Sequence, residues 1–585
     1  MRKTKIICTL GPASSSEEMI ERLARGGMNI ARLNFSHGDH ETHGALIDAI
    51  KRVRERVGLP IGILLDTKGP EIRLGNFSGG HVDLVEGQQF VLTTEPCEGN
   101  DQCAMVNYRE LPLDAHVGDT ILLDDGLIQL YIDAIENGQR IVCTVRNSGE
   151  ISNHKKLTLP GVSISLPELT EQDKSDLLFG IEKGVDFVAA SFTRRAQDIL
   201  EVRQFLEANG GKRIQVVAKI ENRQGINNAD EIISVSDAVM VARGDMGVEI
   251  PMEDVPVEQS RIIRSCAGHG TPVIVATQML DSMIRNPMPT RAEVSDVAVA
   301  VLEGADCIML SGETAAGKFP LEALAAMSRV AERIEKTINY RERFALQQKE
   351  NAATVTQAVS HAVCTSAMDL GAAAIVTCTK SGVTAQAISQ HKPSVPILAT
   401  TTEVSTFYHM ALLWGVQPLM TNDVTNTDDM IEDSVRSAIE IGLAKNGDII
   451  VITAGVPVGR AGTTNLIKIH HVGEVLIHGR GVGERAVSGV ICLAANPEEA
   501  AEKFRDGCIL AVEATDNRYV PLLKRCGSII TSDASPNSHA VVVGLALDIP
   551  VIFDAGNLSE ALQDGLLVTV DPKTGYVYKG RSALL

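Results

Sequence analysis

The chain has 585 residues, far more than one hydrophobic core supports, and reads as about three to five domains. Its 54 Lys and Arg against 74 Asp and Glu leave a net charge of −20, a field that repels polyanions and excludes nucleic acid or anionic membrane as the main partner. Eleven scattered cysteines with no CxxC pair exclude a zinc ribbon or disulfide scaffold, and without a secretory leader or an apolar run of roughly 18 residues the expected location is cytoplasmic.

Up to about residue 315, short apolar runs alternate with helical patterns, the signature of repeated βα units. Eight runs fall at 5–10, 29–35, 61–66, 187–192, 215–220, 238–242, 272–276 and 307–310. Each is nearly continuous in Ile, Val, Leu, Ala or Met, as strands covered on both faces must be, and eight of them predict a (β/α)8 TIM barrel over 1–70 and 167–340. Ser14 and Ser15, three residues before Glu17 and Glu18, and Thr170 before an acidic turn read as helix starts. The rhythm breaks at 71–166, where polar–apolar alternation and Gly-rich turns predict an inserted all-β domain, a β-barrel lid hinged at Gly69-Pro70 and Leu166-Pro167. A second α/β pattern over 341–473 includes a helix at 354–370 and strands at 373–378 and 448–453. A last module, 474–585, carries short strands at 511–513, 529–531 and 550–553. The lone Trp414 reads as packing, and His40 and His43 as solvated helix residues rather than members of a metal site with His37.

Polar groups follow directly on the barrel strands, where such a fold builds its active site. Glu221 and Asp245, on adjacent strands, are hard oxygen ligands suited to Mg2+, and the cations Arg32, Arg73 and Lys219 approach the same space. Singly, each residue reads as an ion-pair partner or a helix cap. Together, a divalent cation and several positive charges are what a transferring phosphoryl group requires. There is no Walker loop or Gly-rich kinase loop. A metal-dependent TIM-barrel lyase or aldolase acting on a 2-oxo acid is the alternative, since Mg2+ at a barrel mouth also stabilises enolates. A non-catalytic sugar-phosphate sensor is a third possibility, disfavoured by the intact Lys219, Glu221, Asp245 and Thr277.

The segments Arg32-Leu33-Asn34-Phe35-Ser36-His37-Gly38, Leu65-Asp66-Thr67-Lys68-Gly69-Pro70-Glu71-Ile72-Arg73, Lys219-Ile220-Glu221-Asn222, Met240-Val241-Ala242-Arg243-Gly244-Asp245, Ala276-Thr277-Gln278-Met279-Leu280 and Leu310-Ser311-Gly312-Glu313-Thr314-Ala315 resemble, in order and spacing, the hallmarks of the pyruvate kinase family. The resemblance implies phosphate transfer from phosphoenolpyruvate to ADP in glycolysis, giving pyruvate and ATP. In it, Lys219 neutralises the phosphoryl group, Glu221 and Asp245 hold Mg2+ (or Mn2+), and Arg32, Lys219, Gly244, Asp245 and Thr277 bind substrate. Thr277 belongs to a proton relay, while Arg73, His37, Asn34 and Arg195 serve the nucleotide, although animal relatives carry Lys where this chain has Arg195. Asn34, Ser36, Asp66 and Thr67 surround K+, and Glu71 is the residue type that goes with K+ dependence. The loop with Thr379, Ser381, Gly382 and Thr384, together with 455–462, frames a sugar-phosphate or AMP effector site, and a homotetramer is implied. The last module resembles the swivelling phosphohistidine domain of phosphoenolpyruvate-utilising enzymes, with His539 at the phosphorylated position and Asn537 in place of the usual Thr.

Overall fold

Eight parallel strands close into a ring in the computed structural model, which describes residues 2–162, 164–167, 169–347, 354–422, 426–455, 464–473 and 475–580. In chain order they are Lys5–Thr9, Ile30–Asn34, Gly62–Asp66, Phe187–Ala190, Gln215–Ile220, Ala238–Ala242, Val273–Ala276 and Cys307–Leu310. Lys5–Thr9 pairs with both Ile30–Asn34 and Cys307–Leu310, closing the ring. The continuous apolar runs are explained by burial on both faces. Ile7, Leu64, Met240 and Ile274 fill the barrel interior, while their neighbours Ile6, Cys8, Val239 and Val275 pack outward under the helices.

The chain divides into two compact units, 1–352 with 380–392 and 401–420, and 353–379 with 393–400 and 421–585. In the first unit, the helix Glu171–Glu182 opens with the expected capping box, Thr170 and Asp173 each accepting from the other's backbone N–H. The helix Glu17–Arg25 is capped by Ser16, not by Ser14 or Ser15: the Ser16 side chain accepts from Met19 N, while Ser14 Oγ accepts from Gly11 N in the preceding turn.

The insertion is a seven-stranded sheet plus a two-stranded pair, with one short helix at Leu111–Asp114. Its two edge strands meet where Leu74 bridges Val106, with Gly75 N donating to the Met105 carbonyl at 2.8 Å and Asn107 N to the Arg73 carbonyl at 3.0 Å, so the seven strands close into a small barrel around a core of Phe90, Leu130 and Ile132. Both connections to the barrel are clasped. Gly69 takes φ +72° and donates its N–H to Asp173 Oδ1 at 3.0 Å, and a Cβ there would meet Ser191 Cβ at 2.8 Å. On the return, the Arg194 guanidinium donates to the Ile164 and Leu166 carbonyls, each at 2.8 Å.

At the opposite end of the barrel, Trp414 is buried between the ammonium groups of Lys3 and Lys392, each 5.1 Å from its ring. It is packing, as expected. His43 is not solvated, and His40 is only partly so. His43 is buried, stacks on Phe35 at 4.1 Å and meets the His37 carbonyl at 2.7 Å. His40 stacks on Phe179 at 4.4 Å and pairs with Asp176 at 2.7 Å. Aromatic partners from Phe35 and the helix Glu171–Glu182 turn both imidazoles inward, a tertiary effect that helical spacing does not report.

In the second unit, the helix Val355–Asp369 is capped by Thr354, and Ala374–Cys378 pairs in parallel with Ile397–Thr401 and Ile449–Gly455. Residues 475–580 form a mixed eight-stranded sheet whose Ile509–Val512, Ser528–Thr531 and Val551–Phe553 run parallel.

Candidate active site

The C-terminal ends of the strands Ile30–Asn34, Gly62–Asp66 and Gln215–Ile220 bring Arg32, Asp66, Lys219 and Glu221 into one buried cluster. Lys219 Nζ donates to Ser191 Oγ at 2.8 Å and lies 3.1 Å from Asp66 Oδ1 and 2.9 Å from Glu221 Oε1. Arg32 Nε donates to Asp66 Oδ2 at 2.6 Å, and Arg32 Nη1 donates to Thr9 Oγ1 at 2.9 Å. Burial pushes the Lys219 ammonium down, but Asp66 and Glu221 more than offset it and hold its pKa above the ordinary lysine range. Burial likewise pushes Asp66 up, and Arg32 and Lys219 together bring it below the usual carboxylate range.

Glu221 and Asp245 differ in a way that bears on metal binding. Burial, with repulsion from Asp245, raises the Glu221 pKa despite Lys219. Its Oε2 accepts from Phe192 N at 2.6 Å, while Oε1 is buried with the Lys219 ammonium, 2.9 Å away, as its partner. Asp245 sits in the short helix Arg243–Glu249 after the neighbouring strand, and there burial is outweighed by Lys156 and Lys219, which hold its carboxyl low. A buried glutamate and an ionised aspartate on neighbouring strands suit a hard divalent cation. Among the described residues no three His, Cys, Asp or Glu gather as a cage.

Thr277 stands opposite. Its φ is +68° and that of Gln278 is +53°, a left-handed pair in which a β-branched residue is strained. Thr277 Oγ1 accepts from Gly244 N at 2.8 Å and donates to the Ala276 carbonyl at 2.6 Å. The turn is braced by Arg243, whose Nη2 donates to the Thr277 carbonyl at 2.8 Å while the guanidinium grips both Asp296 oxygens at 2.6 and 2.7 Å.

Several expected neighbours lie elsewhere. Arg73 does not join the Lys219 cluster: it is on the lid strand Ile72–Arg73, bonded to Glu71 Oε2 at 2.6 Å and the His154 carbonyl at 2.8 Å, because Glu71 two residues away satisfies it first. The cation that meets Asp245 is Lys156, from the lid strand Lys156–Thr158. Nothing in the local sequence marks it. Ser191, the hydroxyl under Lys219, was also missed and carries only the weak signal of a Ser ending a barrel strand. Thr67 Oγ1 donates to the Ala189 carbonyl at 3.1 Å, Asn34 Oδ1 accepts from Ser36 N at 3.2 Å, and both Asp66 oxygens are already engaged by cations. His37 is exposed, and Arg195 is largely exposed with Nη2 3.2 Å from Asp198 Oδ1.

Thr379 belongs to the second compact unit, and Ser381, Gly382 and Thr384 to the first, where Gly382 takes φ +83° ahead of the helix Val383–Ser389. Of 455–462, all but Gly455 lies outside the described residues. In the last module, His539 begins the helix His539–Leu547, and its Nδ1 meets Thr515 Oγ1 at 2.9 Å.

Three family models match the chain: the pyruvate kinase barrel domain over residues 1–324, the pyruvate kinase alpha/beta domain over 357–470, and the PEP-utilising enzyme mobile domain over 504–575. A pyruvate kinase from Geobacillus stearothermophilus is 47% identical over 585 residues, covering 100% of both chains. One from Staphylococcus aureus (strain MRSA252) is 44% identical over 586 residues with the same coverage. Among solved structures, a pyruvate kinase from Cryptosporidium parvum matches with a TM-score of 0.77 and 39% identity, covering 80% of this chain and 96% of its own.

Proposed function

The chain belongs to the pyruvate kinase family, a metal-dependent glycolytic phosphotransferase family that acts on phosphoenolpyruvate and ADP, and from that premise we propose how its barrel mouth divides the work. Lys219 holds positive charge where the phosphoryl group crosses, and Arg32 grips the phosphate from the same cluster. Mg2+ or Mn2+ at Glu221 and Asp245 would supply the charge that draws donor and acceptor oxygens together. The observation that carries this reading is the buried Lys219 ammonium held between Asp66 and Glu221 at the barrel mouth. Gly244 and Asp245 orient the substrate carboxylate. Thr277 relays the proton to the enolpyruvate carbon, its own hydrogen first turning away from the Ala276 carbonyl. His37, Asn34, Arg73 and Arg195 serve the nucleotide.

K+ is the expected monovalent activator, held by Asn34, Ser36, Asp66 and Thr67. The lid closes about Gly69-Pro70 and Leu166-Pro167. A sugar phosphate or AMP binds the loop of Thr379, Ser381, Gly382 and Thr384, the enzyme is a homotetramer, and it works in the cytoplasm. His539 has its Nδ1 occupied by Thr515, which favours Nε2 for any phosphotransfer.

Pyruvate release that depends on both ADP and a divalent cation, followed by coupling to lactate dehydrogenase, tests the assignment. Release without ADP would return the lyase reading. Acid-labile label on His539 after incubation with labelled phosphoenolpyruvate tests the tail.

A further inference from the structure

A cavity of about 330 Å3 opens between the returning lid strand and the loop that follows Glu221. None of Lys219, Glu221, Asp245 or Thr277 lines it, while Lys156, the ammonium that meets Asp245, does, so it borders the reacting centre without including it. One wall is apolar, formed by Leu157, Leu159, Val162 and Ile164. Arg223 and Gln224 also line the cavity, both half-buried, and their side chains have no hydrogen bond or ion pair among the described residues.

That isolation sets Arg223 apart from its neighbours. Arg194, on the same cavity, spends its guanidinium on two carbonyls, while Arg32, Arg73 and Arg243 all pair with carboxylates. The two carboxylates of the cavity wall do not serve as its counter-ion. Glu71 is bonded to Arg73, and Glu249 faces Lys156 and the backbone N–H groups of Arg223 and Gly161. A guanidinium in a concave, partly dehydrated site is stabilised by an anion that matches its planar fork.

We propose that this cavity is a second ligand site, which takes a small amphipathic organic acid with its carboxylate on Arg223 and Gln224 and its hydrocarbon body against Leu157, Leu159 and Val162. The volume admits about ten water-sized groups. Leu157 follows Lys156, whose ammonium meets Asp245, so a bound acid also bears on how the lid sits at the mouth.

Isothermal titration of the full chain with 3-phenylpropionate and octanoate, with phosphoenolpyruvate saturating the barrel mouth, tests the site. One equivalent of carboxylate binds with a Kd on the order of 0.1–1 mM. The uncharged 3-phenylpropanamide binds about tenfold or more weakly, and Arg223→Gln weakens the carboxylates to the same extent while turnover stays at the wild-type rate. Val162→Trp, which fills the cavity without touching its charge, abolishes binding. Failure of both carboxylates to bind saturably, equal binding of the amide, or unchanged binding in either variant overturns the proposal.

Discussion

The backbone N–H of Gly244 donates to Thr277 Oγ1 at 2.8 Å, tying the helix after one barrel strand to the left-handed turn after the next. A strained β-branched residue persists there because Arg243 and Asp296 hold its carbonyl from behind. Thr277→Gly should therefore raise the unfolding free energy by on the order of 1 kcal/mol while lowering kcat by about tenfold or more. Denaturant unfolding and steady-state rates on one preparation check both halves. A loss of stability would mean that the Gly244–Thr277 hydrogen bond is worth more than the strain it holds in place.

Lys219→Met should reduce kcat by on the order of a thousandfold, because the charge opposite the migrating phosphoryl group is lost. It should also cost about 3 kcal/mol of stability, since Asp66 and Glu221 lose a shared buried partner. Those carboxylates raise the folded-state pKa of Lys219 above the unfolded value, so its contribution is fully present below about pH 10.5 and fades only as pH climbs through the higher folded value. The alkaline limb of the wild-type rate profile below that pH should be traceable to another group.

The Lys156 ammonium is paired with the Asp245 carboxylate, the group proposed to hold the divalent cation. Lys156→Met should tighten Mn2+ binding to the enzyme alone several-fold, on the order of 1 kcal/mol. Electron paramagnetic resonance of free Mn2+ measures it, and weaker binding would show that the ammonium assists rather than competes.

Burial pushes the Glu249 carboxyl up to about 7, Lys156 offsetting only part of the shift. In the window between the unfolded value near 4.5 and that folded value, the native state binds more protons, so stability falls as pH rises and the penalty is fully present above it. Glu249→Gln, which keeps the acceptor and removes the charge, should flatten that slope and stabilise the protein at pH 8 by on the order of 1–2 kcal/mol. Thermal unfolding at pH 5, 6, 7 and 8 reads it directly.

Omitting K+ from a Na+-free assay should lower the rate at least about tenfold. Equal rates with and without it would remove Asn34, Ser36, Asp66 and Thr67 from any cation role.

The barrel was legible because strands buried on both faces must be apolar throughout, as at Ile6, Ile7 and Cys8. The mouth was legible because polar residues end those runs. Lys156 was not, since it reaches Asp245 across 89 positions from a different domain, and no local period encodes such a meeting. Arg73 pairs with Glu71, two residues away, a local satisfaction that reading strand-end cations as one group does not report. The aromatic stack of Phe35 and His43 follows from packing between elements, where a spacing of three along a helix is silent.

Trp414 is the only tryptophan of the chain, wedged between two ammonium groups at the floor of the barrel. Intrinsic emission excited at the indole band is thus a private reporter of that floor. Unfolding followed by its spectral shift times the opening of the base of the ring, whereas loss of turnover times the disassembly of the rim, and the interval between the two curves measures how cooperatively the ring melts.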